Sequence, residues 1–194
     1  LPVHRIDQGT SGLLMVARNE AAQLHLKEQL EKHTIERRYV ALVYGRPPNK
    51  NWTVSNHLVA DRGDGLRGSV PGRPPADSKH AKTVFTHLER IGKQVNVVEA
   101  KLHTGRTHQV RIHLAEGDTP ILGDERYGTA IANRGVKRLC LHAVVLGVQH
   151  PTSGEELRFT SPLPDSMERM VRSLRHVADN PKPKRKKSRK PKKH

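Results

Sequence analysis

Asp7 sits in the run His4-Arg5-Ile6-Asp7-Gln8-Gly9-Thr10-Ser11-Gly12, directly before an apolar stretch. A carboxylate in a loop of glycine and hydroxyl residues can be held rigid by backbone donors. If it is also partly buried beside a strand, it can serve as a nucleophile or a base. The plainer reading is a turn in which Asp7 caps backbone N–H groups. A second run, Leu102-His103-Thr104-Gly105-Arg106-Thr107-His108-Gln109-Val110-Arg111-Ile112-His113, joins a glycine turn to a helix start dense in donors. Backbone N–H groups at a helix N-terminus favour phosphate. Arg106, Thr107, His108 and Gln109 can each donate to phosphate or to base edges. Arg111 lies one turn further, where an arginine could pair bidentately with a carboxylate and hold it ionised. The plainer reading here is a solvated basic helix.

The elements that must position these runs follow from hydrophobic spacing and turn residues. Gly12 to Ala17 reads as a short buried strand. Asn19 caps a helix over Glu20 to Lys32, with Ala22, Leu26 and Leu30 as its apolar stripe. Arg38 to Tyr44 is rich in strand formers and ends at Gly45-Arg-Pro-Pro48. Trp52 to Ala60 alternates weakly as a further strand. Asp61 to Asp77, with its glycines and prolines, is a surface loop. Ala81 to Leu88 and Gln94 to Leu102 form a strand pair turning at Ile91-Gly92-Lys93. Thr107 to Glu116 is a short helix closed by Gly117. Leu139 to Val148 is a central strand, and Leu157 to Thr160 a short one. Pro164-Asp-Ser opens a last helix to about Val177, with Met167, Met170, Val171 and Leu174 inward. Many short strands and few helices predict an α+β fold around a mixed, mostly antiparallel sheet flanked by helices.

Charge points to a polyanion. The chain has 194 residues and a formal net charge of +16. Pro181 to His194 hold nine Lys and Arg and no acid, which leaves 26 basic and 19 acidic residues in 1–180, a net +7. Neutralising phosphates drives such a chain onto nucleic acid through counterion release. No apolar run approaches the roughly 20 residues that span a bilayer, so no membrane partner is expected. The single Cys140 excludes an internal disulfide framework and suits a reducing, cytoplasmic setting. His103, His108 and His113 recur at a spacing that suits no single face, so no metal site is expected. Gly9-Thr10-Ser11-Gly12 lacks the spacing of a serine nucleophile elbow. Gly63, Gly65 and Gly68 lie in a proline-rich loop without the strand–helix setting of a dinucleotide site. Arg62, Arg67 and Arg73 in that loop either touch RNA or are simply solvated. The tail has too little apolar surface to fold and is expected to be disordered and to hold RNA weakly.

Together the two runs resemble the RluA-type pseudouridine synthases. That family carries a His-Arg-Leu-Asp-x-x-Thr-Ser-Gly loop, met here with Ile6 for Leu, and a Thr-Gly-Arg-Thr-His-Gln-Ile-Arg-x-His run, met with Val110 for Ile. Arg38-Tyr39-Val40-Ala41, Pro120-Ile-Leu-Gly-Asp124 with Tyr127-Gly128, and Leu141-His142-Ala143 match in the family's order over residues 3 to about 175. The resemblance implies an RNA-modifying isomerase that converts uridine to pseudouridine in rRNA or tRNA, without a cofactor. It implies Asp7 as the carboxylate that attacks the uridine or promotes glycosidic cleavage. Tyr39 would pack on the target base and assist loss of the C5 proton. Arg111 would salt-bridge Asp7, Arg5 would enter the RNA as the uridine leaves, and Leu141 would form an apolar wall.

The expected organisation is a catalytic domain over residues 1–178, monomeric, followed by a basic tail over 179–194. Family catalytic domains begin a few tens of residues before the aspartate motif, and many carry a separate S4-like RNA-binding domain. The expectation is therefore a domain truncated at its N-terminus, its missing strands leaving an open apolar sheet edge. A non-catalytic RNA-binding or ribosome-assembly protein on a decayed synthase fold is the alternative.

Overall fold

The computed structural model describes residues 1–180. In chain order the strands are β1 (Ser11–Gly12), β2 (Glu36–Tyr44), β3 (Asn51–Val59), β4 (Gly68–Ser69), β5 (Lys79–Ile91), β6 (Val95–Leu102), β7 (Leu141–Gln149) and β8 (Glu156–Thr160). The helices are α1 (Glu20–Glu31), α2 (Gln109–Glu116), α3 (Ala130–Asn133) and α4 (Asp165–Asp179). All eight strands join one sheet in the order β1-β7-β2-β6-β5-β3-β4, with β8 also on β7. Only β1 and β7 run parallel; the other named pairs are antiparallel. The fold is therefore α+β with a mixed, mostly antiparallel sheet, as the strand pattern predicted.

β2 is the spine of the site. It lies between β7 and β6 and is buried over most of its length, because Val40 to Val43 are apolar on both faces. Strands covered on both faces read as continuous apolar runs rather than alternating ones. The main core gathers Leu42, Val43, Phe85, Val98, Leu114, Ile121 and Met167. α4 adds Met167 and Val171 to that core, at the inward positions predicted from its spacing. α1 begins where Asn19 accepts a hydrogen bond from the Ala22 N–H. Its Leu26 packs with Ile35, Leu146 and Val148 in a second cluster.

Four expectations are corrected. Gly12 to Ala17 is not a buried strand. Only Ser11 and Gly12 reach β7, a lone bridge ties Val16 to Pro2, and Leu14 and Val16 are exposed. α2 starts at Gln109 rather than Thr107, because His108 turns to the left-handed region at φ 59°. The surface loop contains β4, which pairs with β3. α4 continues past Val177 to Asp179. The tail expected to be disordered lies, from residue 181 on, outside the described residues. Leu14, Val16 and Phe159 are exposed and line one apolar groove beside Leu146 and Val148. No helix among the described residues is long and apolar enough to cross a membrane.

Candidate active site

The Asp7 loop is pinned to the start of β7. The Thr10 N–H donates to the Asp7 carbonyl at 3.0 Å, closing a turn that Gly9 completes at φ +84°. The Ser11 hydroxyl meets His142 Nδ1 at 2.9 Å, and Arg138 Nη2 donates to the same hydroxyl at 2.8 Å. Gly12 is needed for two reasons. Its φ is +104°, and a Cβ there would collide with the Ala143 backbone. Ahead of the loop, His4 Nε2 accepts from the Met15 N–H at 3.1 Å, and burial pushes the His4 imidazole below its usual pKa. The imidazole is thus held as a neutral acceptor.

Tyr39 enters from β2 at a step in register. Arg38 faces Val145 on β7, whereas Tyr39 faces Ala143. The extra residue is Val144 on β7, while β2 keeps its register with β6, so Tyr39 stays in the alternation of its own strand. Tyr39 is buried, and its phenol is pushed above its usual pKa by desolvation and by Asp7, against the pull of Arg37. The phenol therefore stays protonated at neutral pH.

A cavity of about 510 Å³ opens over these residues. Asp7, Tyr39 and Leu141 line it, together with Arg5, Arg106, Thr107 and Gln109 from the second set of expected residues. Its volume is within the range of small-ligand sites. Arg111 and His108 do not line it. The bidentate partner of Arg111 is Asp124, to which its Nε and Nη2 each donate at 2.8 Å, while its Nη1 makes the longer ion pair with Asp7 at 3.8 Å. Burial pulls the Arg111 pKa down, but the Asp124 pairing, with Asp7 and Tyr127, outweighs it and raises it. Asp124 is fully buried and also accepts the N–H groups of Arg126 and Tyr127, both at 3.0 Å. Desolvation works against its charge, but these donors hold the carboxyl below its usual range. The Arg111 guanidinium lies 5.1 Å from the centre of the Tyr127 ring, whose hydroxyl meets His108 Nδ1 at 2.9 Å.

Gln109 is turned inward. Its Oε1 accepts from the Thr104 hydroxyl and the Arg106 N–H, and its Nε2 donates to Thr83 Oγ1 and the Lys82 carbonyl. That use of its amide leaves no free donor for RNA, so the expected role of Gln109 becomes one of shaping the loop. Arg106 Nε donates to the His80 carbonyl at 2.8 Å. Sequence reasoning gave no role to Asp124, Tyr127 or Arg37. The signal for the first two was present in the Gly123-Asp124 and Tyr127-Gly128 pairs, but nothing in their spacing gave the direction of Arg111.

Known proteins share this fold and sequence. A family profile described as RNA pseudouridylate synthase matches residues 1–116. An RNA pseudouridine synthase of Bacillus subtilis is 40% identical over 173 residues, covering 89% of this chain and 55% of the relative. The ribosomal large subunit pseudouridine synthase D of Xanthomonas campestris is 37% identical over 185 residues, covering 89% and 54%. The chain thus spans about half the length of the curated relatives it matches. The solved human RNA pseudouridylate synthase domain containing 1 superposes with a TM-score of 0.72 at 27% identity, covering 90% of this chain and 79% of that one. The profile spans more than half of the sequence and takes in both the Asp7 loop and the Arg111 run; the chain belongs to the RNA pseudouridylate synthase family, of the RluA type that its motifs resemble.

Proposed function

We propose that this chain converts uridine to pseudouridine in RNA, with Asp7 as the reacting carboxylate. One observation supports this most: Asp7 faces a cavity of nucleotide size, beside a buried tyrosine and 3.8 Å from a guanidinium locked by Asp124. A stacked uridine hides its glycosidic bond, so the nucleotide must first be extruded, at a cost of a few kcal/mol. Arg5, Arg106 and Thr107 line the same cavity and can offset that cost through phosphate contacts. Asp7 then assists cleavage of the N1–C1′ bond. The freed uracil turns against Tyr39 and Leu141 and rejoins C1′ through C5. The C5 proton leaves last and N1 gains one, so the atoms of uridine are conserved; Tyr39, which lines the cavity, would assist that transfer. The reaction is an isomerisation, so no water is consumed.

Relatives named for the large ribosomal subunit favour rRNA over tRNA as the substrate class. The alternative, an RNA-binding protein without catalysis, has less support, because Asp7, Tyr39 and Arg111 all stand together around one site. The test is conversion of uridine in RNA by the wild type and by Asp7→Ala. The variant should lose turnover while keeping RNA affinity. Equal loss of affinity would sink a purely chemical role for Asp7, and an inactive wild type would favour the binder.

A further inference from the structure

Arg37 is the residue of this cavity that neither the fold nor the chemistry above explains. It lies two positions before Tyr39 on β2, so both side chains leave the same face of the strand. It is 7% exposed and lines the cavity, yet its Nε has no hydrogen-bond partner among the described residues and the guanidinium makes no ion pair there. Glu31 lines the same cavity without pairing to it. Arg106, across Gly105, adds like-charge repulsion, and burial is the larger of the two effects lowering the Arg37 pKa. An arginine remains charged in such a place. A buried charge with no partner is strongly unfavourable. The chain nevertheless makes room for it, since a Cβ on Gly105 would collide with Arg37 Nη1.

We propose that Arg37, facing Arg106 across Gly105, binds a phosphodiester oxygen of the RNA strand whose nucleotide enters the cavity. An arriving phosphate supplies the anion that the two guanidiniums lack, and arginine forks match phosphate geometry. The bare Cα of Gly105 then keeps the Arg37 guanidinium on the cavity wall. This rests on reading the cavity as the seat of an RNA nucleotide, but it concerns binding rather than turnover.

The experiment is equilibrium binding of a fluorescent decauridylate across a salt titration. Arg37→Gln should weaken affinity about tenfold, as expected for a lost charged hydrogen bond. It should also reduce the slope of log affinity against log salt by about 0.7, one single-strand phosphate contact. Arg37→Lys should keep the slope, and Arg175→Gln, an exposed arginine paired with Glu89, should leave both quantities unchanged. Gly105→Ala, whose methyl would meet only the movable end of the Arg37 side chain, should weaken affinity no more than Arg37→Gln, and the double variant should be no worse than Arg37→Gln. Arg37→Gln should melt at or above the wild-type temperature, because it removes an uncompensated buried charge. A wild-type slope in Arg37→Gln, or its unfolding, overturns the proposal whatever its isomerase activity. Absent turnover with a reduced slope would instead sink the isomerase reading alone.

Discussion

Asp124 shows how much of a site can depend on a buried residue outside the cavity lining. Its carboxylate takes both arms of Arg111 and two backbone N–H groups, all away from water. Asp124→Ala leaves that guanidinium buried with only the 3.8 Å contact to Asp7. Breaking a buried pair from one side costs about 3–5 kcal/mol. For a domain of this size that corresponds to a fall in Tm on the order of 10 °C. Thermal unfolding of Asp124→Ala beside Asp7→Ala checks it: the first should melt far lower, the second near the wild type. At this scale the motif residues were legible because type and spacing carry chemistry. The partner of Arg111 was not, since a helix can present an arginine to any carboxylate that tertiary packing brings near. Asp7 and Asp124 were both in view as motif residues, and only the tertiary path that bridges Ile121 to Val43 and turns at Asp124 decides between them.

Strands and helices with strong periodicity were legible nearly to their ends: α1, β2, β6, β7 and α4 lie close to where spacing and caps placed them, whereas β5 extends beyond Ala81 to Leu88 at both ends and takes in Ile91 from the expected turn. Gly12 to Ala17 failed because an apolar run does not by itself provide a neighbouring strand. After Gly12 the chain leaves β7, so Leu14 and Val16 face outward. The attachment of α2 could not be read either, because it depends on a buried polar chain. His113 Nε2 donates to Asn56 Oδ1 at 3.0 Å, and its Nδ1 accepts from the Thr83 hydroxyl at 2.9 Å. This joins α2 to β3 and β5. Burial lowers the His113 pKa from 6.5 to about 4. The unfolded chain therefore binds a proton near 6.5 that the folded chain refuses until about 4. Stability is complete above the unfolded value and falls as pH drops between the two, by on the order of 3 kcal/mol. His4, His108 and His142, also lowered by burial, act in the same direction. His113→Gln should melt lower at neutral pH yet lose less stability on acidification. An unchanged pH slope would show that another group controls acid unfolding.

For the molecule as a whole, charge distribution is the feature most directly written in the chain. Nine of its 35 Lys and Arg crowd into Pro181 to His194, and the rest of the sequence keeps a net +7. The cavity receives arginines from the Asp7 loop, β2 and the turn before α2, so under the proposed function the body would have its own grip on RNA. The tail would add contacts that carry no sequence information. Each phosphate neutralised on single-stranded RNA contributes about 0.7 to the slope of log affinity against log salt. Deleting residues 181–194 should therefore flatten that slope by up to about 6 if every basic residue of the tail engages. It should raise KM and leave kcat unchanged, because contacts made equally in the ground and transition states do not alter the chemical step. Binding of one structured RNA by the full and shortened chains, measured across a salt titration, decides the matter. Equal slopes would mean that the tail meets no phosphate and that the body alone accounts for the affinity. A fall in kcat at saturating RNA would mean instead that the tail acts on the positioning of the uridine over Asp7.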